Sequence, residues 1–135
     1  MAAWDSTNLQ EAVRFVRHDL KNRMLDPVYR AELDTREVVD RPSHPELYVC
    51  DYWDLLGTYV MHRMLRESTF LQMGQDMIVS FWQLLSPTIA IMRRKRGRAL
   101  FISFEYLATR SQLWAARFPD GFAPRTWRRP NLADE

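Results

Sequence analysis

The sequence predicts an all-α fold, a helical bundle of four principal helices plus a short helix, with a Pro-rich carboxyl-terminal tail. Two observations carry this. The stretch from Glu46 to Phe118 holds nearly all the large apolar residues, and they recur at helical spacing. Its middle, Phe70 to Met92, is the organising element, because no charged residue lies between Asp76 and Arg93 and the run ends in the basic cluster Arg93, Arg94, Lys95, Arg96 and Arg98.

A chain of 135 residues fits one domain, residues 1–135, divided into a bundle over 1–118 and a tail over 119–135. Apolar residues at 47% and aromatics at 13% exclude a disordered chain. The single Cys50 excludes an intrachain disulfide and a multi-cysteine metal site. The amino-terminal stretch meets Asp5 and Glu11 before any apolar core, unlike a secretory signal, so a cytoplasmic location is expected. A net charge of +2 is too small to imply a nucleic-acid partner by itself.

In chain order, Leu9, Ala12, Val13, Val16, Leu20 and Met24 predict a helix over 7–25, capped from Asp5, Ser6 or Thr7. Asp26 and Pro27 stop it and start a short helix to about Glu37, since Asp caps and Pro suits the first helical position. Residues 40–45, with two prolines, read as an ordered loop. From Glu46 to Arg66 one face holds Val49, Trp53, Leu56, Val60 and Met64, and the other holds Asp51, Asp54, Thr58 and His62. Gly57 in mid-helix costs roughly 1 kcal/mol relative to Ala and implies a closely approaching backbone.

Ser68 is expected to cap the third long helix, on which a narrow polar line runs through Gln72, Asp76, Ser80 and Gln83 and continues over Pro87 and Ala90 to Arg94. Pro87 should kink or break that helix near Ser86. Gly97 suits a left-handed turn, after which residues 98–118 form the last long helix. In the tail, Phe122 and Trp127 are expected to fasten the chain to the bundle.

The sequence contains no phosphate-binding or dinucleotide-binding glycine motif, no HExxH and no nucleophile elbow. Without a Glu-x-x-His pair it also lacks the ligand pattern of two-metal bundles, and no cofactor or metal is implied. Asp51, Asp54, Thr58, His62, Asp76 and Glu105 are the candidate site residues, either lining a ligand pocket or forming a buried network with Arg63, Arg94 or Arg110, because a buried charge needs a partner. Cys50 with His44 or His62 is a weaker nucleophile pairing than a simple buried cysteine.

The basic patch Arg93, Arg94, Lys95, Arg96 and Arg98 reads first as a solvated helix end favoured by the dipole, then as a phosphate or nucleic-acid contact, then as a membrane contact. A membrane span is not expected: the uncharged run is shorter than the roughly 20 residues a span needs, and it contains Ser80, Gln83, Ser86, Pro87 and Thr88. Arg94, continuing the polar line, is expected to reach an acidic residue on a neighbouring helix.

The stretches CDYWDLLGTYVMHRML, FWQLLSPTIAIMRRKRG and ALFISFEYLATR resemble a family of small bacterial helical proteins of unknown function, over roughly Arg14 to Phe118. The resemblance implies the helical fold and no activity. The functional expectation is therefore a non-catalytic binding or regulatory module acting through protein contacts, with a homo-oligomer or protein partner favoured by the aromatic and Met content. The alternative is a small enzyme or ligand-binding bundle using Asp51, Asp54, His62 and Glu105. A further alternative binds phosphate-rich partners through Arg93 to Arg98.

Overall fold

The computed structural model describes residues 6–124, 126, 127 and 130. Among the described residues the chain forms six helices and no strand: α1 (Ser6–His18), α2 (Leu20–Arg23), α3 (Pro27–Leu33), α4 (Glu46–Met61), α5 (Glu67–Arg96) and α6 (Ile102–Arg117). No helix among them is long and apolar enough to cross a membrane.

The expected single amino-terminal helix is divided at Asp19, a poor helix former. The division is shallow, since the Asp19 amide still donates to the Phe15 carbonyl at 2.8 Å and the Arg23 amide to the Asp19 carbonyl at 3.1 Å. Asp26 caps α3 as expected, its carboxylate accepting the Val28 amide at 2.9 Å with Pro27 in the first helical position. This helix stops at Leu33, short of Glu37. In the following loop, Asp40 accepts both the amide and the hydroxyl of Ser43, which fixes the turn into α4.

Helix α4 ends at Met61, so Met64 lies beyond it and is exposed, and α5 starts at Glu67 without a Ser68 cap. The reversal is made by Arg63 in the left-handed region at φ 60° and Arg66 in an extended conformation.

The expected break at Pro87 does not occur, because α5 runs without interruption across it. It bends instead. In a straight helix Glu67 and Arg93 lie about 39 Å apart. Yet Tyr106 reaches Glu67 at 3.1 Å while the adjacent Glu105 meets Arg93 at 2.6 Å. Fully extended, these side chains and the single step between Glu105 and Tyr106 fall short of that length, so the axis of α5 curves around the start of α6. Pro87 lacks the amide that would bond to the Gln83 carbonyl and crowds it, which supplies a cause for the bend.

The core lies where α4, α5 and α6 meet, with Leu47, Phe81, Leu85, Ile89, Met92, Phe104 and Leu107 fully enclosed. Trp82 meets Phe104 edge-on at 5.1 Å, and Trp53 packs on Phe81 at 5.9 Å. Helix α1 covers one side through Ala12 and Val16. Beyond α6, Phe122 packs against Trp114 and Phe118 as expected, whereas Trp127 is half exposed and residues 125, 128, 129 and 131–135 of the tail lie outside the described residues.

Gly97 makes the expected turn at φ 89°. The last helix nevertheless begins at Ile102 rather than residue 98, because Phe101 adopts the left-handed conformation, φ 56°, and interrupts the backbone pattern.

Candidate functional site

Two residues of the polar face of α4, Asp54 and Thr58, meet the start of α6. Phe101 offers no side-chain cap to α6, and the Asp54 carboxylate takes that role from across the interface by accepting the Phe104 amide at 3.0 Å. The Thr58 hydroxyl donates to the Asp54 carbonyl and accepts from the Ser103 hydroxyl, each at 2.9 Å. Between them sits Gly57, where an added Cβ would lie 2.2 Å from the Ser103 carbonyl oxygen. The close backbone approach expected at Gly57 is therefore real. Burial raises the Asp54 pKa, an effect opposed by the amide hydrogen bonds from Phe104 and Ser103.

The other candidate residues are dispersed. Asp51 forms a forked pair with Arg41 at 3.2 and 3.1 Å, and Arg41 also donates to the Val39 carbonyl, so this contact ties the loop to α4. Glu105 pairs with Arg93. His62 caps the carboxyl end of α4 in solvent, and exposed Asp76 accepts from the neighbouring Gln75. The expected partners are corrected accordingly: Arg110 holds Glu67, at 3.0 and 2.8 Å, rather than an α4 carboxylate. Arg110 first, and the Tyr106 hydroxyl after it, keep the Glu67 pKa below its usual value.

The basic patch is largely committed inside the molecule. Arg93 donates to the Leu100 carbonyl at 2.9 Å, Lys95 to the Asp34 carbonyl at 3.0 Å, and Arg96 to the carbonyls of Thr35 and Glu37. These cations satisfy the free carbonyls after α3 and near the end of the α5–α6 turn. Arg94 is exposed and makes no ion pair among the described residues, so the buried role expected for it falls to Arg93.

A polar cluster that the sequence reading missed lies at the other end of α4. Glu46 is 0% exposed, and the Tyr29 hydroxyl donates to its carboxylate at 2.7 Å from one oxygen and 2.5 Å from the other. His44, 1% exposed, stacks on Tyr29 with ring centroids 4.2 Å apart. Its Nδ1 lies 3.6 Å from Glu46 without a hydrogen bond, and its Nε2 is 3.2 Å from Glu32. Desolvation raises the Glu46 pKa to about 7, against the lowering effect of the Tyr29 hydrogen bond, and it lowers that of His44. Burial, then Glu46, push the Tyr29 hydroxyl up. Burial thus favours the neutral form of both the carboxyl and the imidazole that faces it. In the sequence, Glu46 reads as an ordinary acidic residue of a first helical turn, and nothing in its spacing from Tyr29 signals the contact.

Cys50 is buried, and burial pushes its thiol well up, which suppresses the nucleophilic thiolate. Among the described residues no group of three or more His, Cys, Asp or Glu converges to hold a metal.

The surface carries a different signal. Met73 and Met77, one turn apart on α5, are 85% and 48% exposed. Met77 borders a groove of about 370 Å³ lined also by Leu9, Val13, Tyr52, Trp53 and Phe81.

These features define an all-helical domain in which Asp51, Asp54 and Glu105 are each engaged by another part of the chain. The chain belongs to the family described as a domain of unknown function, DUF4760, whose model matches residues 1–111. The resemblance in the three helical stretches to a small family without assigned activity is thereby confirmed. No curated protein and no solved structure matches the chain.

Proposed function

We propose that the protein is a non-catalytic helical binding module that works through protein contacts and associates with itself. The observation that carries this reading is the exposure of Met73 and Met77 beside the aromatic groove formed by α1, α4 and α5. Methionine is flexible and polarisable, which suits a surface that adapts to a partner, and adjoining exposed apolar side chains mark such surfaces.

Support for the enzyme alternative is weaker. Asp51 and Glu105 are each engaged by an arginine, Asp54 is occupied as a cap, and His62 stands alone in solvent. Light scattering coupled to size exclusion tests the proposal. The expected result is a mass above the 16.1 kDa of one chain at micromolar concentration, reverting to that value in the Met73→Lys, Met77→Lys double variant. A wild-type monomer across that range overturns self-association.

A further inference from the structure

We propose that a second groove, between α3 and the carboxyl-terminal half of α5, binds a free long-chain carboxylate, with the head at Arg30 and Arg94 and the alkyl chain along α5. The groove of about 640 Å³ has Met24, Pro27, Ala31, Pro87, Ala90 and Ile91 as its apolar surface. Ala31 and Ala90 are too small to fill the space between the helices, and Pro87 bears no amide to solvate. This floor continues the same helical line, Pro87, Ala90 and Arg94, that runs on from the polar stripe of α5. Met24 and Pro87 also border a second depression of about 320 Å³, lined by Val16, Leu20 and Leu84, so further apolar surface lies beside the first groove.

Charge selects the head group. Among the described residues neither Arg30 nor Arg94 pairs with an acid. The acid in the groove, Asp34, lies 3.8 Å from Lys95, and Lys21 borders the second depression, leaving the lining positive. Guanidinium groups suit a carboxylate because they donate in a planar fork. A groove with an apolar floor beside these two unpaired arginines fits an anion that carries an alkyl chain better than a small hydrated anion. This site shares no lining residue with the Met77 groove, so its fate is independent of self-association.

The test is calorimetric titration of the full chain with laurate below its aggregation concentration, alongside octanoate, inorganic phosphate and the neutral amphiphile dodecyl maltoside. The expected result is saturable binding of laurate, weaker binding of octanoate, and none of phosphate or maltoside. Arg94→Gln and Arg30→Gln should each weaken laurate by about tenfold, and Ala90→Trp, which fills the groove, should abolish binding. Arg94 and Ala90 are both exposed, and if Ala90→Trp melts early the Arg94→Gln result decides. Absence of saturable laurate binding, phosphate binding as tight as laurate, equal binding of maltoside, or an unchanged affinity in Arg94→Gln each overturns the proposal.

Discussion

The Asp54 carboxylate on α4 accepts the backbone amide of Phe104 at 3.0 Å, and so caps a helix to which it does not belong. Helix α6 needs this help because its preceding residue, Phe101, is left-handed and has no polar side chain. Replacing Asp54 by Ala should therefore cost about 1–2 kcal/mol, the upper part of the range for a lost cap. Asp54→Asn keeps an acceptor oxygen and should cost less. Urea unfolding of the two variants measures the difference, and equal stability of wild type and Asp54→Ala would refute the capping role.

Gly57→Ala presents two opposed effects. In an isolated helix the change gains about 1 kcal/mol. Here the new methyl carbon would sit 2.2 Å from the Ser103 carbonyl oxygen, which is backbone and yields only if α4 and α6 separate. Overpacking of this kind costs about 1–3 kcal/mol or more. The expected outcome is net destabilisation, read as a lower thermal midpoint; a stabilised variant would show that the two helices part freely.

The same contact shows how far the sequence is readable. The positions of α4 and α5 follow from long periodic stretches, and the demand of Gly57 for a close neighbour follows from its helix cost. The true start of α6 does not, since it rests on the left-handed conformation of Phe101 and on an amide accepted by Asp54 from a distant part of the chain. Pro87 marks α5 for a kink or break in the sequence, but the continuity of the helix across it is not legible there, because it depends on tertiary contacts at both ends. Tyr29, His44 and Glu46 lie on a short helix, a loop and a helix start, and no local pattern joins them. Helical phase singles out Arg94, which continues the line of Gln72, Asp76 and Gln83, but does not tell that the adjacent Arg93 is the one facing α6.

That last distinction has a direct consequence. Arg93 joins Glu105 at 2.6 Å and the Leu100 carbonyl at 2.9 Å, whereas Arg94 faces solvent. Arg93→Gln should destabilise by about 1–2 kcal/mol, at the lower side of charged hydrogen bonds because Glu105 is partly exposed. Arg94→Gln should stay within about 0.5 kcal/mol of wild type. Chemical denaturation of both variants tests the pair, and equal shifts would contradict the structural role of Arg93.

The Tyr29–Glu46 contact makes stability depend on pH. Burial raises the Glu46 pKa from 4.5 to about 7, so the folded chain holds this proton more tightly than the unfolded chain does. The resulting stabilisation is fully present below about pH 4.5 and is lost as pH rises through about 7. His44 acts in the opposite direction: its depressed pKa favours the folded state above 6.5, and that contribution is lost as pH falls through the folded value. Glu46→Gln removes the first effect alone, since the amide oxygen still accepts from Tyr29. Relative to wild type, the variant should therefore gain stability between pH 4.5 and 8, by up to about 3 kcal/mol for a shift of this size. Its own profile should then show the histidine, with stability rising toward pH 7. Urea unfolding at several pH values gives both curves; a difference between them that stays constant with pH would mean that Glu46 titrates in the folded protein as it does in the unfolded chain, and would remove the desolvated carboxyl from the account.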